Sequence, residues 1–514
     1  MKKLSYIFSL GIVCLSVSLN AQNLDDALRF NTRELTGTAR SLGMANAFGA
    51  LGGDLSAISI NPAGIAVYRS SEFAFTPSFS FNKTNSGYSN FSSADDAFSF
   101  PFNQIGGVST FQTLREKNEG IISTHFGVTY NRTADFNNSM YTQIGRNVSD
   151  YSGGNFSPNT LLANIILDAD GYYENQLRGR ASYAYNAYLI DPVTNSTYMT
   201  HYEMYDADNE LIYDRNLNGI NQNFEREQSG YSGEYGITLG ANISNIVLLG
   251  GSVNFQSFKY EETAIFREIN FNGFDPAFFD DLNYYEAYSK FSQNGFGINA
   301  KIGAIFNLHP IRLGASFHLP TFYAIDEDYL NGINAYFLND DHLDEGMDGY
   351  FSYNYRTPYR AQGSFAYIIG TKAIISFDYE LTDHTASKIS AKDEYVPDFE
   401  DLNQDIKDYF KISHDLKAGI EIKPLPYLAL RAGAAYFDSP FKDGMTDVKL
   451  DKWMYTGGFG IRNKSFFFDA AYSLTMYDDA LSLNSYDMFY GVTDTPIEIS
   501  NKRHQASFTF GWKF

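Results

Sequence analysis

Apolar and polar residues alternate with a period of two along many segments of this chain. In the segment 466–476, every second residue is apolar, whereas Asp469, Ser473 and Thr475 occupy intervening positions. Successive side chains of a β-strand point to opposite faces, so this period predicts strands with one apolar and one polar face. The polar faces carry charged side chains, among them Lys301, Arg312, Asp378, Glu380, Arg431 and Asp469.

The alternation predicts fourteen strands, an even number. Their connections are alternately long and short, as in outer-membrane barrels, where long extracellular loops alternate with short periplasmic turns. The last strand ends on the aromatic residue Phe514, a common feature of such barrels. The predicted strands are 73–83, 102–111, 121–132, 231–243, 246–262, 291–306, 309–325, 351–368, 371–387, 410–422, 425–438, 450–463, 465–478 and 498–514.

A soluble β-sandwich would also show alternation, but composition favours a membrane barrel. Phe, Tyr and Trp make up 17% of the chain, an excess that aromatic girdles at the two membrane interfaces would use. A closed barrel also satisfies every backbone hydrogen-bonding group in the bilayer. The sequence therefore predicts an all-β fold: a 14-stranded antiparallel transmembrane β-barrel over residues 71–514, with long extracellular loops at 133–230 and 263–290.

The amino-terminal residues 1–21 have the layout of a cleaved signal peptide. Lys2 and Lys3 precede the apolar run 7–19, and Ala21 offers a small residue for cleavage. The single cysteine, Cys14, lies in that run, so we expect an exported protein without disulfides. Residues 22–70, small and glycine-rich, are expected to form a hatch that fills the lumen of the barrel.

Charge and residue spacing exclude several classes of protein. The net charge of −22 argues against binding to nucleic acid. The eight histidines show no paired metal spacing, and no arrangement of a nucleophile with a base can be assembled by motif. We therefore expect neither enzymatic activity nor a cofactor.

Two runs near the amino terminus, ARSLGMANAF at 39–48 and DLSAISINPAG at 54–64, form a recognisable motif. They resemble the hatch of the FadL/TodX family of outer-membrane transporters for long-chain fatty acids and aromatic hydrocarbons. A looser similarity extends through 235–243 and 312–321, but not through the insertion 133–230. The resemblance implies a barrel closed by the hatch, an internal hydrophobic ligand pocket and passive, ligand-gated movement of an apolar molecule.

The hatch ends in Asn61, Pro62, Ala63 and Gly64. These residue types form turns, and a structural turn between hatch and first strand is one interpretation. The other is a gate, in which Asn61 hydrogen-bonds the barrel wall and holds the hatch closed.

Candidate ligand contacts fall into three groups. Aromatic residues of the loop 263–290 could capture an apolar ligand, or could pack on one another. A short amphipathic helix in the long insertion could form the other wall of that groove. Inward arginines could meet a carboxylate head group, although ion pairs with residues such as Asp378 or Asp469 are favoured. The candidates are Phe274, Phe278, Phe279, Tyr284, Leu161, Ile165, Arg312 and Arg431.

One motif suggests calcium. Asp214, Asn216, Asn218 and Glu225 fit the spacing of a calcium-binding loop in which oxygen ligands surround a hard cation. Asn218-Gly219 is equally a hairpin turn, and flanking helices are not evident. Calcium therefore remains one of two interpretations.

Together these features predict an outer-membrane transporter for passive uptake of hydrophobic small molecules such as long-chain fatty acids. Its expected partners are outer-membrane lipid and the hydrophobic ligand. The alternative is a docking or shuttle barrel of a secretion or surface-attachment system, with the long loops contacting another outer-membrane protein.

Overall fold

The computed structural model describes most of the chain. The described residues are 24–88, 91–113, 119–146, 165, 169, 171–194, 196–200, 203–205, 211–214, 220–270, 282–337, 342–392, 399–445, 450–481 and 496–514. None of the helices within these ranges is long and apolar enough to cross a membrane.

The described residues form predominantly antiparallel β-structure. The strands are β1 (Glu72–Tyr88), β2 (Phe91–Ser99), β3 (Phe102–Gln112), β4 (Ile121–Asp135), β5 (Asn138–Arg146), β6 (Ile190–Thr194), β7 (Thr197–Thr200), β8 (Glu203–Tyr205), β9 (Leu211–Asp214), β10 (Ile220–Ile243), β11 (Val247–Asn270), β12 (Leu282–Leu308), β13 (Ile311–His318), β14 (Phe322–Phe337), β15 (His342–Arg356), β16 (Arg360–Ile369), β17 (Ala373–Asp383), β18 (Lys388–Ala391), β19 (Ile412–Leu425), β20 (Leu428–Phe437), β21 (Lys452–Arg462), β22 (Phe466–Leu481) and β23 (Ile497–Lys513).

Fourteen strands close into a barrel, as the alternation predicted. Around the barrel the order is β1, β3, β4, β10, β11, β12, β13, β16, β17, β19, β20, β21, β22 and β23, and β23 pairs with β1 to close it. Each of the fourteen predicted strands overlaps one of these barrel strands.

The strands run further at the long-loop end than the sequence indicated. β11 and β12 have 24 and 27 residues, and the segments β2, β5, β14, β15 and β18 continue neighbouring barrel strands on the same side. Much of the segments 263–290 and 133–230, expected as loops, is therefore strand. The prediction was too short there because these extensions do not face lipid and lack an apolar outer face.

The outer and inner faces of the wall differ as expected for a membrane barrel. On β1 the outward side chains of Phe73, Phe79 and Phe81 are 40%, 47% and 41% exposed. On the inward faces of the strands, the side chains of Asp378 and Asp469 are fully buried. The alternation therefore separates a lipid-facing apolar surface from a polar lumen.

Inside the lumen, residues Leu24 to Val67 form the hatch. It contains three helices, α1 (Leu24–Asn31), α2 (Ala39–Leu42) and α3 (Leu55–Ile60), followed by a 3-10 helix over Pro62–Val67. Thr38 and Asp54 cap α2 and α3 through side-chain bonds to backbone amides. Almost every apolar side chain from Leu42 to Ala66 is buried, so the hatch fills its end of the barrel.

The opposite, long-loop end is covered by part of the insertion 133–230, which we call the cap: Ile165, Ala169 and residues 171–194 and 196–200. It includes α4 (Gly179–Asn186) and the β6–β7 hairpin. Leu177, Tyr183 and Leu189 of the cap are buried in a cluster with inward strand residues such as Phe266 and Tyr285. A second helix at this end, α5 (Glu400–Tyr409), precedes β19.

Candidate functional site

Asn61 ends α3 and begins the 3-10 helix. Its side-chain oxygen accepts a hydrogen bond from the Ala63 amide at 3.1 Å. Pro62, which has no amide hydrogen, takes the first position of the turn, where that hydrogen would have no partner. The turn predicted for Asn61–Gly64 therefore has the chemistry that Asn and Pro favour.

The same Asn61 side chain reaches the barrel wall. Its amide nitrogen lies 2.7 Å from the carbonyl oxygen of Gly49 in the hatch. It also lies 3.3 Å from the carbonyl oxygen of Ala304 on β12 and 3.4 Å from that of Ala315 on β13. One buried carboxamide thus connects two parts of the hatch to two wall strands, while its role as a gate stays a prediction.

The wall carries glycine where the hatch backbone approaches. A Cβ placed on Gly303 of β12 would lie 1.9 Å from the side-chain oxygen of Asn61. A Cβ on Gly250 of β11 would lie 2.3 Å from the carbonyl oxygen of Pro62. Any larger residue at these two positions would displace the hatch.

Buried ion pairs fix the other side of the hatch. Arg40 lies 3.3 Å from Glu421 on β19, and Glu421 is also 2.7 Å from Arg431 on β20. Arg431 in turn pairs with Asp469 on β22 at 2.6 Å. Burial opposes the charge of Arg40, but Glu421, Asp54 and Asp469 outweigh burial and raise the pKa of Arg40 above its ordinary value. The arginine therefore stays charged and bound to the wall.

Two further wall cations hold hatch carbonyls. Arg312 donates to the carbonyl oxygen of Leu51 at 2.8 Å. Lys301, which is 1% exposed, donates to the carbonyl oxygen of Ser59 at 3.1 Å and pairs with Glu234. Arg312 and Arg431, considered as contacts for a ligand head group, therefore serve hatch and wall, and neither lines the cavity described next.

A cavity of about 250 Å³ lies in the lumen between the hatch and the wall. The hatch contributes the residues that link α1 to α2, among them Arg33 and Glu34, and also Asn46 and Ile60. The wall contributes strands from β4 round to β22. The charged and histidine residues of the lining are Arg33, Glu34, Arg132, His318, Arg360, Glu380, His384, Asp415, Lys417, Asp438, Lys452, Asp478 and Asp479.

Most cations of this lining are already paired. Lys417 lies 2.7 Å from Glu380, and Arg360 lies 4.0 Å from the same carboxylate. Arg132 pairs with Asp135 at 3.4 Å. Within the described part of the chain Arg33 and Lys452 have neither a hydrogen bond nor an ion pair, but Lys452 lies 4.9 Å from the ring of Tyr477 and Arg33 has no such contact there. Arg33 is therefore the lining group best able to accept an anionic ligand.

A cluster of buried aromatic side chains adjoins the cavity. We call it the aromatic tier: Phe258, Tyr260, Tyr323, Tyr353 and Tyr355 of the wall, packed around α1. The ring of Phe30 on α1 lies 4.6 Å from Phe258 and 4.8 Å from Tyr355, and the guanidinium of Arg29 stacks 4.0 Å from the ring of Tyr260. Because Phe30 and Tyr323 line the cavity as well, the polar cavity and the aromatic tier are continuous.

The wall itself is interrupted beside the cavity. The β3–β4 ladder stops at Gln104 and Asn131, and within the described residues no backbone ladder joins β2 to β5 beyond that point. Side chains bridge them instead: Asp95 accepts the Tyr141 amide at 2.8 Å, and Ser99 donates to Asp135 at 2.9 Å. We call this discontinuity the seam.

The cavity reaches the seam from inside. Asn131, Arg132 and Thr133 of β4 line the cavity, and they lie where the β3–β4 ladder ends. On the outside, Phe98 and Phe100 are 64% and 50% exposed. The seam thus separates the polar cavity from a lipid-facing aromatic surface by side-chain contacts alone.

Comparison with known proteins identifies the fold. No protein-family model matches the sequence, and no curated protein matches it. A FadL homologue from Pseudomonas aeruginosa superposes with a TM-score of 0.54, at 13% identity, over 94% of this chain and 100% of its own. The toluene transporter TodX from P. putida superposes with a TM-score of 0.56, at 13% identity, over 94% of this chain and 99% of its own. This chain has the fold of FadL and TodX. The resemblance drawn from the hatch motif is confirmed at the level of the fold.

Within this FadL-type barrel, none of the predicted ligand contacts that fall among the described residues lines the cavity. Phe274, Phe278, Phe279 and Leu161 fall outside the described residues. Tyr284 lies on β12, stacked on Tyr336 with ring centroids 4.4 Å apart, rather than in a loop. Ile165 is helical and fully buried in the cap.

The calcium motif remains untested. Asn216 and Asn218 fall outside the described residues, Asp214 ends β9, and Glu225 is an exposed residue of β10. Among the described residues no group of three or more His, Cys, Asp or Glu side chains could hold a metal ion. The calcium interpretation therefore stays a prediction for the undescribed part of this segment.

Sequence reasoning missed the residues that line the cavity of this FadL-type barrel. Arg33 lies in a polar linker between two short helices, and Arg360, Glu380 and Lys417 lie on three different strands. For the three strand residues the only local signal was an inward position in the alternation. The charged side chains that form ion pairs in the lumen have the same position.

Proposed function

We propose that the chain is an outer-membrane transporter for the passive uptake of hydrophobic small molecules, with long-chain fatty acids as its preferred substrates. The observation that carries the proposal is the direct continuity between a polar cavity and the aromatic tier inside a hatch-closed barrel. The description of TodX as a toluene transporter supports the hydrophobic class of substrate.

The two compartments suit the two parts of a fatty acid. A tail buried against the aromatic tier is removed from water, which is worth about 0.8 kcal/mol per methylene group. The carboxylate would then lie in the cavity near Arg33, with Arg360 on the facing wall. A guanidinium is the side chain best matched to a carboxylate because it can donate two parallel hydrogen bonds. A plain hydrocarbon in the cavity would leave the guanidinium of Arg33 without an anionic partner.

The seam supports an exit from the lumen into the outer membrane. It lies beside Asn131 and Arg132 of the cavity, and it is held by the Asp95–Tyr141 and Ser99–Asp135 contacts rather than by a backbone ladder. Further side-chain hydrogen bonds join β1 to β5, from Asn82 and Thr84 to Asn138 and from Ser86 to the Tyr141 carbonyl oxygen. Separating side-chain contacts of this kind costs less than breaking a continuous ladder. An apolar molecule leaving there would enter lipid without crossing water.

Substitution of Arg33 tests the substrate assignment. In cells that lack their own fatty-acid transporter, Arg33→Gln should lower the uptake of labelled oleate about tenfold, the equivalent of ~1.4 kcal/mol, while toluene entry stays unchanged. Arg356→Gln, a change at an exposed arginine outside the cavity, is the matched control. Uptake should continue in cells without an energised inner membrane.

Two outcomes would contradict this picture. If the unmodified protein confers uptake of neither oleate nor toluene, the transport function is wrong. If it confers uptake and Arg33→Gln changes nothing, transport stands but the head-group contact does not.

A cross-link across the seam tests the exit. Only one cysteine, Cys14, occurs in the sequence, so Ser99→Cys combined with Asp135→Cys introduces a defined pair. Closing the pair with an oxidant or a short bis-thiol reagent should stop uptake, and reduction should restore it. Full uptake through the cross-linked barrel would show that the ligand leaves elsewhere.

The docking role considered as the alternative, the calcium site and the expected lack of enzymatic activity all stay predictions. The fold favours transport over docking because the described part of the long insertion covers the chain's own mouth rather than standing free.

A further inference from the structure

The outer boundary of the lipid-facing band can be located on four adjacent strands, β2, β1, β23 and β22. On β1 the outward residues from Phe73 to Phe81 are apolar, a length close to that with which a tilted strand crosses the bilayer. Across the ladder, Phe81 lies opposite Phe98 of β2 and opposite His504 of β23. The band therefore ends at the level of Phe81 and His504, on the side of the long loops.

Two lysines occupy the next outward level. Lys83 of β1 and Lys502 of β23 are Cα partners in the antiparallel ladder, and both are exposed. Neither ammonium group has an ion-pair partner within the described residues. Like charges directly opposite each other on one face of a sheet repel, so this pair is unfavourable unless an anion lies between the two groups.

The surroundings of the pair also contain two carboxylates. Asp96 of β2 lies opposite Lys83 in the ladder, and Asp478 of β22 lies opposite Ser500, one outward level above Lys502. Neither carboxylate is within ion-pair distance of a lysine of the pair. Directly below, the Tyr472 hydroxyl and His504 Nδ1 lie 2.6 Å apart and form a polar edge to the aromatic band.

Position and charge together specify the ligand. A positive pair at the boundary between lipid tails and water meets the head groups of the outer leaflet, and an ammonium group binds phosphate as a point charge. We propose that Lys83 and Lys502 bind a phosphate group of a phosphorylated glycolipid in the outer leaflet. The site rests on the placement of the barrel in the membrane and not on the transported ligand.

Native mass spectrometry of the purified full-length barrel tests the site. The probe is bisphosphorylated lipid A in detergent, compared with the same lipid after enzymatic dephosphorylation. The double variant Lys83→Gln/Lys502→Gln is compared with Lys259→Gln, because Lys259 is another exposed lysine on the long-loop side but pairs with Glu261 at 2.8 Å. Heat-dependent gel mobility confirms that each variant is folded.

The expected result is a fall of about tenfold in bound lipid A for the double variant, with Lys259→Gln unchanged and the dephosphorylated lipid not retained. Equal retention by the double variant, or equal retention of the dephosphorylated lipid, would overturn the proposal. Excess inorganic phosphate distinguishes the source of the anion. If it binds to the same lysines in the absence of lipid while lipid A does not, the site takes free phosphate and the lipid assignment is wrong.

Discussion

A single side chain, Asn61, joins the hatch to itself and to two strands of the wall. Its buried carboxamide makes contacts with Gly49, Ala304 and Ala315, and Gly303 leaves the space it occupies. A buried polar group that loses its partners costs free energy, so these contacts favour one position of the hatch. The sequence offered Asn61 as a residue of a turn or a gate, but not the glycine opposite it, because 242 positions separate the two residues.

Substitution of Gly303 should disturb the hatch without changing the barrel. In Gly303→Ala the added Cβ would overlap the Asn61 side chain, and overpacking of this kind costs about 1–3 kcal/mol. We expect a lower midpoint temperature for the heat-dependent gel shift and greater leakage of small solutes. The control is Gly363→Ala, where an added Cβ has no atom within 4 Å. Equal leakage of the two variants would argue that Asn61 forms a turn and does not restrain the hatch.

At the scale of the element, α4 shows how the insertion closes the mouth. Ala181 and Ala184 of α4 are buried against the strands, and Asn186 donates to Glu345 on β15 at 3.3 Å. Burial of so many apolar side chains stabilises the closed arrangement. A ligand that enters from the long-loop end must therefore move the cap or pass through its contacts.

Locking the cap should block entry. Asn186→Cys combined with Glu345→Cys places two thiols where two side chains already hydrogen-bond. After oxidation we expect oleate uptake to fall to background, and reduction should restore it because the cap can move again. Either single cysteine variant serves as the control. Unchanged uptake with the pair verified as cross-linked would mean that ligands bypass the cap.

The number of barrel strands was predictable, whereas their length and the cavity were not. Alternation is strong where the outer face meets lipid, as at Phe377 and Tyr379. The alternation weakens in the extensions. Tyr284 of β12 stacks on Tyr336 and lies beside Arg267, and the segment around it was predicted as a loop. The pairing of Arg431 with Glu421 and Asp469 likewise depends on which strands become neighbours. Local sequence carries no information about that order.

For the whole molecule, barrel closure and hatch docking are separable. The fourteen strands pair into a closed barrel without any hatch residue, although the hatch supplies carbonyls and amides to many wall side chains. The wall should therefore form by itself around a wide polar lumen.

Deletion of residues 24–67 tests this separation. We expect the shortened protein to insert, to keep its heat-dependent gel mobility and to admit small hydrophilic solutes into liposomes that the complete protein keeps out. The oleate selectivity proposed for Arg33 should disappear together with that residue. A deletion variant that fails to assemble, with Gly363→Ala assembling normally in parallel, would show that the hatch is needed to build the wall.

The length of the strands determines how far the barrel extends beyond the bilayer. The 27 residues of β12, at about 3.3 Å each, extend roughly 90 Å, and a tilt of about 45° leaves some 60 Å of height against a lipid band of about 25 Å. On the long-loop side the barrel therefore extends well beyond the bilayer. Its mouth opens in the aqueous surroundings, beyond the head groups and sugars of the membrane surface. If the chain transports hydrophobic molecules as proposed, this height means that it collects them from solution before they can dissolve in the surface of the cell.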